Sequence, residues 1–166
     1  MAAPGAERTV RPSVLDRLVD DAPREPADSP TTLAESARAF RAAVLRDVEW
    51  LLNTRRIAVP APDSCPEVQR SVYHFGVPDV TSMSSDSDPA RQRLLRQVEE
   101  CISTFEPRIS GVRVSPAVVR DEEGGRRIRF VVEGTLRMDP GPERVAFDTE
   151  LEPSSGKFRV TGDGNA

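Results

Sequence analysis

The chain has 166 residues, 37% hydrophobic and 30% charged, with a formal net charge of -4. That length fits one domain with a tail, and the acidic balance argues against a nucleic-acid partner, whose binding surface would carry a basic excess. No run approaches the ~20 apolar residues of a membrane-spanning helix, and Cys65, Cys101 and the single His74 are too few for a disulfide framework or a metal site. Nor do the first residues place a basic stretch before an apolar one, so the expected location is the cytosol, with no direct membrane insertion.

Residues 1–9 are small and polar without pattern and read as a disordered lead-in. A short helix follows at about 12–20, with Val14, Leu15, Leu18 and Val19 on one face. It is too brief to stand alone and needs a surface, either its own domain or another chain. Residues 20–32 carry Pro23, Pro26 and Pro30 among acids and read as a stiff linker, which makes residues 1–32 a tethered arm. Thr32 and Glu35 stand at capping-box spacing and open a helix over 33–52 whose stripe holds Leu33, Ala37, Phe40, Val44, Val48, Leu51 and Leu52. Arg38, Arg41, Arg46, Asp47 and Glu49 fall on its outer face, and Arg55 and Arg56 sit at its C-terminal corner, where positive charge is favoured.

A shorter helix is predicted from Ser64 or Cys65 through Phe75, stopped by Gly76. The Ser/Asp-rich loop 81–87 ends at Asp88-Pro89, an expected N-cap and first-turn proline, opening a helix to Phe105 with Leu94, Leu95, Val98, Cys101, Ile102 and Phe105 inward. From there the period becomes two-fold. Val112, Val114 and Val118 mark one strand, Ile128 to Met138 the next, Gly124-Gly125 the hairpin between them with Asp121, Glu122 and Glu123 at its tip. A third strand follows Asp139-Pro140-Gly141-Pro142 and alternates through Val145, Phe147, Thr149 and Leu151, and a short fourth covers 157–161. The fold class is α+β, N-terminal helices packed on one face of a three- to four-stranded antiparallel sheet, with the body at 33–162 and a disordered tail at 163–166. Pro116 assigns its strand to an edge or a bulge, and an edge is where another protein can add a strand.

Phe105-Glu106-Pro107-Arg108 is the most informative junction. Pro107 stops the helix and leaves an acid and a guanidinium flanking a fixed bend. Lys157 is the single lysine, so positive charge is nearly all guanidinium, suited to planar pairing with carboxylates. A glycosidase would need a protonated acid paired with a second carboxylate. Arg108 beside Glu106 favours the ionised form instead, and no partner carboxylate stands out. With no phosphate-binding glycine loop and no nucleophile placed beside His74, the residues predict no enzyme, no cofactor and no small-molecule substrate.

Four segments in order, Ser13-Val14-Leu15-Asp16-Arg17-Leu18, Leu51-Leu52-Asn53-Thr54-Arg55-Arg56, Ser71-Val72-Tyr73-His74-Phe75-Gly76-Val77-Pro78-Asp79 and Phe105-Glu106-Pro107-Arg108, resemble the TssE family of type VI secretion baseplate proteins, relatives of the gene-25-like wedge proteins of contractile-tailed phages. The usual Asn-Tyr-Gly stands here as His74-Phe75-Gly76. The resemblance implies a structural, cytoplasmic subunit on the inner-membrane side of the apparatus. It would clamp other wedge subunits and template the contractile sheath, with sheath-arm strands extending its sheet. It carries Glu106, Pro107 and Arg108 over as an assembly element. Family members often bear a lysozyme label, which makes a peptidoglycan hydrolase the alternative. On this reading Glu106 and Arg108 form interchain pairs, so their loss is expected to leave the isolated domain folded. Val14, Leu15 and Leu18, together with Arg55 and Arg56, complete the expected protein contacts.

Overall fold

A computed structural model of the chain describes residues 9–19, 23–24, 31–62, 64–81, 87–117, 127–139 and 141–162. The lead-in at 1–8, the linker residues Pro26 and Pro30, the loop residues 82–86, Val118, the acids at 121–123, Gly124-Gly125, Pro140 and residues 163–166 therefore lie outside the described residues.

Helix α1 spans Val14–Leu18, and its Ser13 cap accepts the Asp16 N–H at 3.1 Å. Helix α2 spans Leu33–Asn53 behind the predicted capping box, with Glu35 accepting the Thr32 N–H at 2.9 Å and Thr32 Oγ1 accepting the Glu35 N–H at 3.3 Å. Its buried row, Phe40, Val44, Val48, Leu51 and Leu52, follows the i, i+4 spacing that places side chains on one face. Helix α3, Asp88–Phe105, buries Leu94, Leu95, Val98, Cys101 and Ile102. Its cap is Ser87 rather than Asp88, one residue earlier than predicted and without a side-chain bond, and the proline follows inside the first turn.

The helix predicted up to Phe75 is instead two 3₁₀ turns, Pro66–Arg70 and Val72–His74. Ser71 is the reason for the break. Its hydroxyl donates to the Val68 carbonyl at 2.8 Å and accepts the Tyr73 N–H at 3.2 Å, substituting for the backbone bonds a continuous helix would make. His74 serves structure here, its Nε2 accepting the Ala61 N–H at 3.3 Å.

Strands β1 (Ile109–Pro116), β2 (Ile128–Leu136), β3 (Glu143–Glu152) and β4 (Lys157–Gly162) form an antiparallel meander in the order β1-β2-β3-β4. Pro116 thus sits on an edge strand, and β1 is irregular between Ser110 and Arg113, where Gly111 takes φ +64°. The inward row of Ile128, Phe130, Val132 and Leu136, with Phe147, Leu151 and Phe158, is buried under the helices. Each such side chain contributes roughly 1.5 to 3 kcal/mol of burial.

Helix α3 lies along β1 and α2 along β4, and both helices reach over to the edge beside them. Glu99 Oε2 accepts the Val114 N–H at 2.9 Å. Asn53 brackets Phe158, donating from Nδ2 to its carbonyl at 2.8 Å and accepting its N–H at 2.9 Å, and Glu49 Oε2 accepts the Val160 N–H at 3.1 Å. Among the described residues no helix is long and apolar enough to cross a membrane.

Candidate functional site

Helix α3 ends at Phe105, and Pro107 and Arg108 turn the chain through a tight bend into β1. The bend drives Glu106 inward, to 4% exposure, and leaves Pro107 outside. A buried carboxylate must be paired to be tolerated, and Arg108 pairs it three times. The Arg108 N–H and Nε donate to Glu106 Oε1 at 3.1 and 2.7 Å, and Nη2 donates to Oε2. Both oxygens are engaged inside the chain, so what the corner offers outward is Pro107 and the 21% of the Arg108 side chain that solvent reaches.

Arg108 Nη2 also reaches Asp47 Oδ2 of α2 at 2.6 Å, and its guanidinium lies 6.0 Å above the Phe40 ring. Phe40 and Asp47 are seven positions apart, hence on one side of α2. Glu106 first, and then Asp47, hold the Arg108 guanidinium well above its ordinary pKa.

The pairing continues. Arg46 Nε donates to Asp47 Oδ1 at 2.9 Å, and Arg46 Nη2 donates to Asp16 Oδ1 of α1 at 2.7 Å, while the guanidinium covers the Trp50 ring at 5.0 Å. Ser13 Oγ donates to Asp16 Oδ2 at 2.6 Å. Glu106, Arg108, Asp47, Arg46 and Asp16 therefore form one alternating series of charges that joins the corner, through α2, to the N-terminal arm. The arm is further fixed at Val10, 4% exposed, whose N–H donates to Ser36 Oγ at 3.1 Å.

Helix α1 rests on α2 through this charged side and turns its apolar one out. Val14, Leu15 and Leu18 are 71, 59 and 78% exposed. Arg55 and Arg56 stand apart from the series, past the end of α2, whose last residue lies ~9 Å along the axis from Asp47. Arg55 Nη1 pairs with Asp79 at 2.9 Å and its Nη2 donates to the Ser155 carbonyl at 3.2 Å, while the Arg56 N–H donates to the Val77 carbonyl at 2.9 Å.

The family model for baseplate wedge protein gp25 matches residues 38–141, which takes in α2 from Arg38 onward, α3, β1, β2 and the Glu-Pro-Arg corner. The chain belongs to this family. It is a family of baseplate structural proteins, so the series of charges belongs to a subunit that works by contact with other baseplate proteins. No curated protein matches the chain significantly. Within the gp25 match lie Asp47 and Arg46, which the sequence places on the outer face of α2. Their role in joining Arg108 to Asp16 was not read there, because Asp47 and Arg108 are 61 positions apart and nothing local signals their meeting.

The arm has its own pH dependence. The Ser13 hydroxyl first, and then Arg46, hold the Asp16 carboxyl below its ordinary 3.8. A carboxyl depressed in the folded state contributes stability above its ordinary value and loses it as pH falls through the folded one. As pH falls below 3.8 and through the lower folded value, the Asp16–Arg46 link should release α1 while the rest of the fold persists. Trp50 is the single tryptophan and lies under Arg46, so its emission is the readout. Asp16→Asn should show the acid emission already at pH 7, and an identical profile in both proteins would contradict the release.

Proposed function

We propose that the chain is the TssE-type structural subunit of a type VI secretion baseplate wedge, clamping neighbouring wedge proteins and initiating the contractile sheath from the cytoplasmic, inner-membrane side. The four sequence motifs support the secretion-system setting, and gp25 family membership supports the wedge role. The observation that carries the clamping is the inverted seating of α1. A helix of five residues that meets its own domain through Asp16 and exposes Val14, Leu15 and Leu18 has its apolar side free for another protein.

In this reading residues 1–32 act as a docking arm on the body at 33–162. Pro107 and the exposed part of Arg108 form a second contact, and Arg55 and Arg56 a third at the far end of α2. The partners are wedge proteins and sheath subunits, and the role needs no cofactor.

The test replaces Val14, Leu15 and Leu18 together by serine and measures folding of the chain and its co-purification with the cognate wedge proteins. All three are exposed, so the melting curve should be unchanged. If each contributes a normal share of burial in the interface, wedge affinity should fall at least about tenfold. Undiminished wedge binding by the folded variant would overturn the arm's assignment.

A further inference from the structure

Residues 57–62 lead away from the Arg55–Arg56 corner without regular structure. Ile57 and Val59 are 49 and 59% exposed, yet Ala61 is pressed in to 8%. Pro60 and Pro62 flank Ala61 and have no N–H, so the Ala61 amide is the single backbone donor of that tripeptide. It donates to His74 Nε2 at 3.3 Å, and among the described residues no other hydrogen bond holds 57–61.

The His74 side of this bond is fixed. The His74 N–H donates to the Ser71 carbonyl at 3.0 Å, Phe75 packs edge-on against Phe105 at 5.4 Å, and the Gly76 carbonyl accepts the Cys101 thiol at 3.3 Å. The segment is thereby fastened to α3, so when the Ala61 bond breaks, the loop yields and the turn stays.

An imidazole accepts at Nε2 only while neutral, with its one hydrogen on Nδ1. A second proton goes to Nε2, removes the accepting lone pair and sets two N–H groups face to face. The buried Ala61 N–H then lacks an acceptor, a cost relieved when the loop swings out to water. Histidine is the side chain whose charge ordinarily changes between about pH 5 and 8.

The titratable groups around the ring are few. Tyr73 stacks on it with centroids 5.6 Å apart. The 3₁₀ turn Pro66–Arg70 packs beside it and brings Glu67 and Arg70, the loop brings Cys65, α3 brings Cys101 with Glu100 behind it, and the end of α2 brings Arg56 and Arg55, the latter paired with Asp79. Among the described residues no carboxylate makes an ion pair with the ring. Asp63, in the same loop, lies outside the described residues. A carboxylate beside the ring favours the proton without restoring the acceptor, so the release does not depend on it.

We infer that His74 is a proton-controlled tie, which holds the 57–62 loop against the domain while its ring is neutral and lets the loop go when the ring takes its second proton. The tie needs no partner. Its bearing on assembly rests on the function proposed above, because the loop begins at the Arg55–Arg56 contact.

The test is amide exchange on the full, untagged chain between about pH 8 and 5, with the ring followed by nitrogen NMR; His74 is the single histidine, so its signal needs no variant to assign. Protection at Ala61, corrected for the intrinsic rate at each pH, should fall at least about tenfold in step with the ring, while Val77, whose N–H donates to the Thr54 carbonyl, stays protected. His74→Gln presents an oxygen that accepts at every pH and should hold the Ala61 protection level. Protection that stays constant while the ring takes its proton overturns the tie, as does a ring that stays neutral to the acid end of the range. An equal fall in His74→Gln assigns the change to another group and overturns it as well; should that variant not fold, the parent titration alone decides. Wedge binding that weakens with acid in the parent and not in His74→Gln supports the loop as part of the contact, and binding indifferent to pH beside a working tie overturns that link while the tie stands.

Discussion

Arg108→Met is expected to destabilise the fold by about 3 to 5 kcal/mol, because it strands Glu106, 4% exposed, without the cation that engages both its oxygens. For a chain of this size the loss corresponds to a fall in Tm of roughly 6 to 20 °C. Methionine retains an apolar stem over Phe40, so the effect isolates charge more than packing. Replacing the pair together, Glu106→Leu with Arg108→Met, should recover most of the loss, since no buried charge is then left unpaired and Asp47, which loses Arg108, keeps Arg46. Urea unfolding of the single and double variants closes the cycle. A single variant within about 1 kcal/mol of the parent would mean the pair is no stronger than an ordinary surface one. The double variant also separates two roles of the corner. If it folds but fails to bind wedge or sheath proteins, Arg108 contributes contact as well as stability; if it folds and assembles normally, the corner is internal scaffold and partners are held elsewhere.

This expectation differs from the one the sequence supports, in which Glu106 and Arg108 face a partner and the isolated domain tolerates their loss. The sequence does show that Pro107 bends the chain and sets an acid beside a guanidinium. The direction of the bend depends on the packing of α3 against β1, which places Glu106 inside. Local pattern was enough for α2, α3 and the four strands, because capping residues and apolar periods of 3.6 and 2 are written within a few positions. It failed at Ser71, where one hydroxyl competes with the backbone. It was silent on the edge caps, since Asn53 meets Phe158 across 105 positions and Glu49 meets Val160 across 111. Val14, Leu15 and Leu18 were legible as one helical face. Which way that face points was not, being set by Arg46 and Asp16 at a separation of 30.

Gly76→Ala is the second large effect, and it acts on the corner that carries Arg55 and Arg56. Gly76 takes φ +101°, and a Cβ there would stand 2.2 Å from the Thr54 carbonyl oxygen and 2.8 Å from its carbon. The left-handed backbone costs an L-residue about 1 to 2 kcal/mol, and relief of the clash adds about 1 to 3 more. The atoms that must move are backbone. Thr54 O accepts the Val77 N–H at 3.0 Å, and the Val77 carbonyl accepts the Arg56 N–H at 2.9 Å, so the short bridge between 55 and 77 has to open with them. Cys101 reports that opening. Its thiol donates to the Gly76 carbonyl at 3.3 Å, and burial pushes its pKa up to about 11, which leaves almost no thiolate at neutral pH, whereas Cys65 is exposed. A thiol reagent at pH 7.5 should therefore label the native parent once, at Cys65, and label folded Gly76→Ala at Cys101 as well, alongside a melting point lowered in keeping with about 2 to 5 kcal/mol. An alanine variant that melts with the parent and keeps Cys101 unreactive would show that the turn relaxes without disturbing the bridge between 55 and 77, and that Gly76 is not required there.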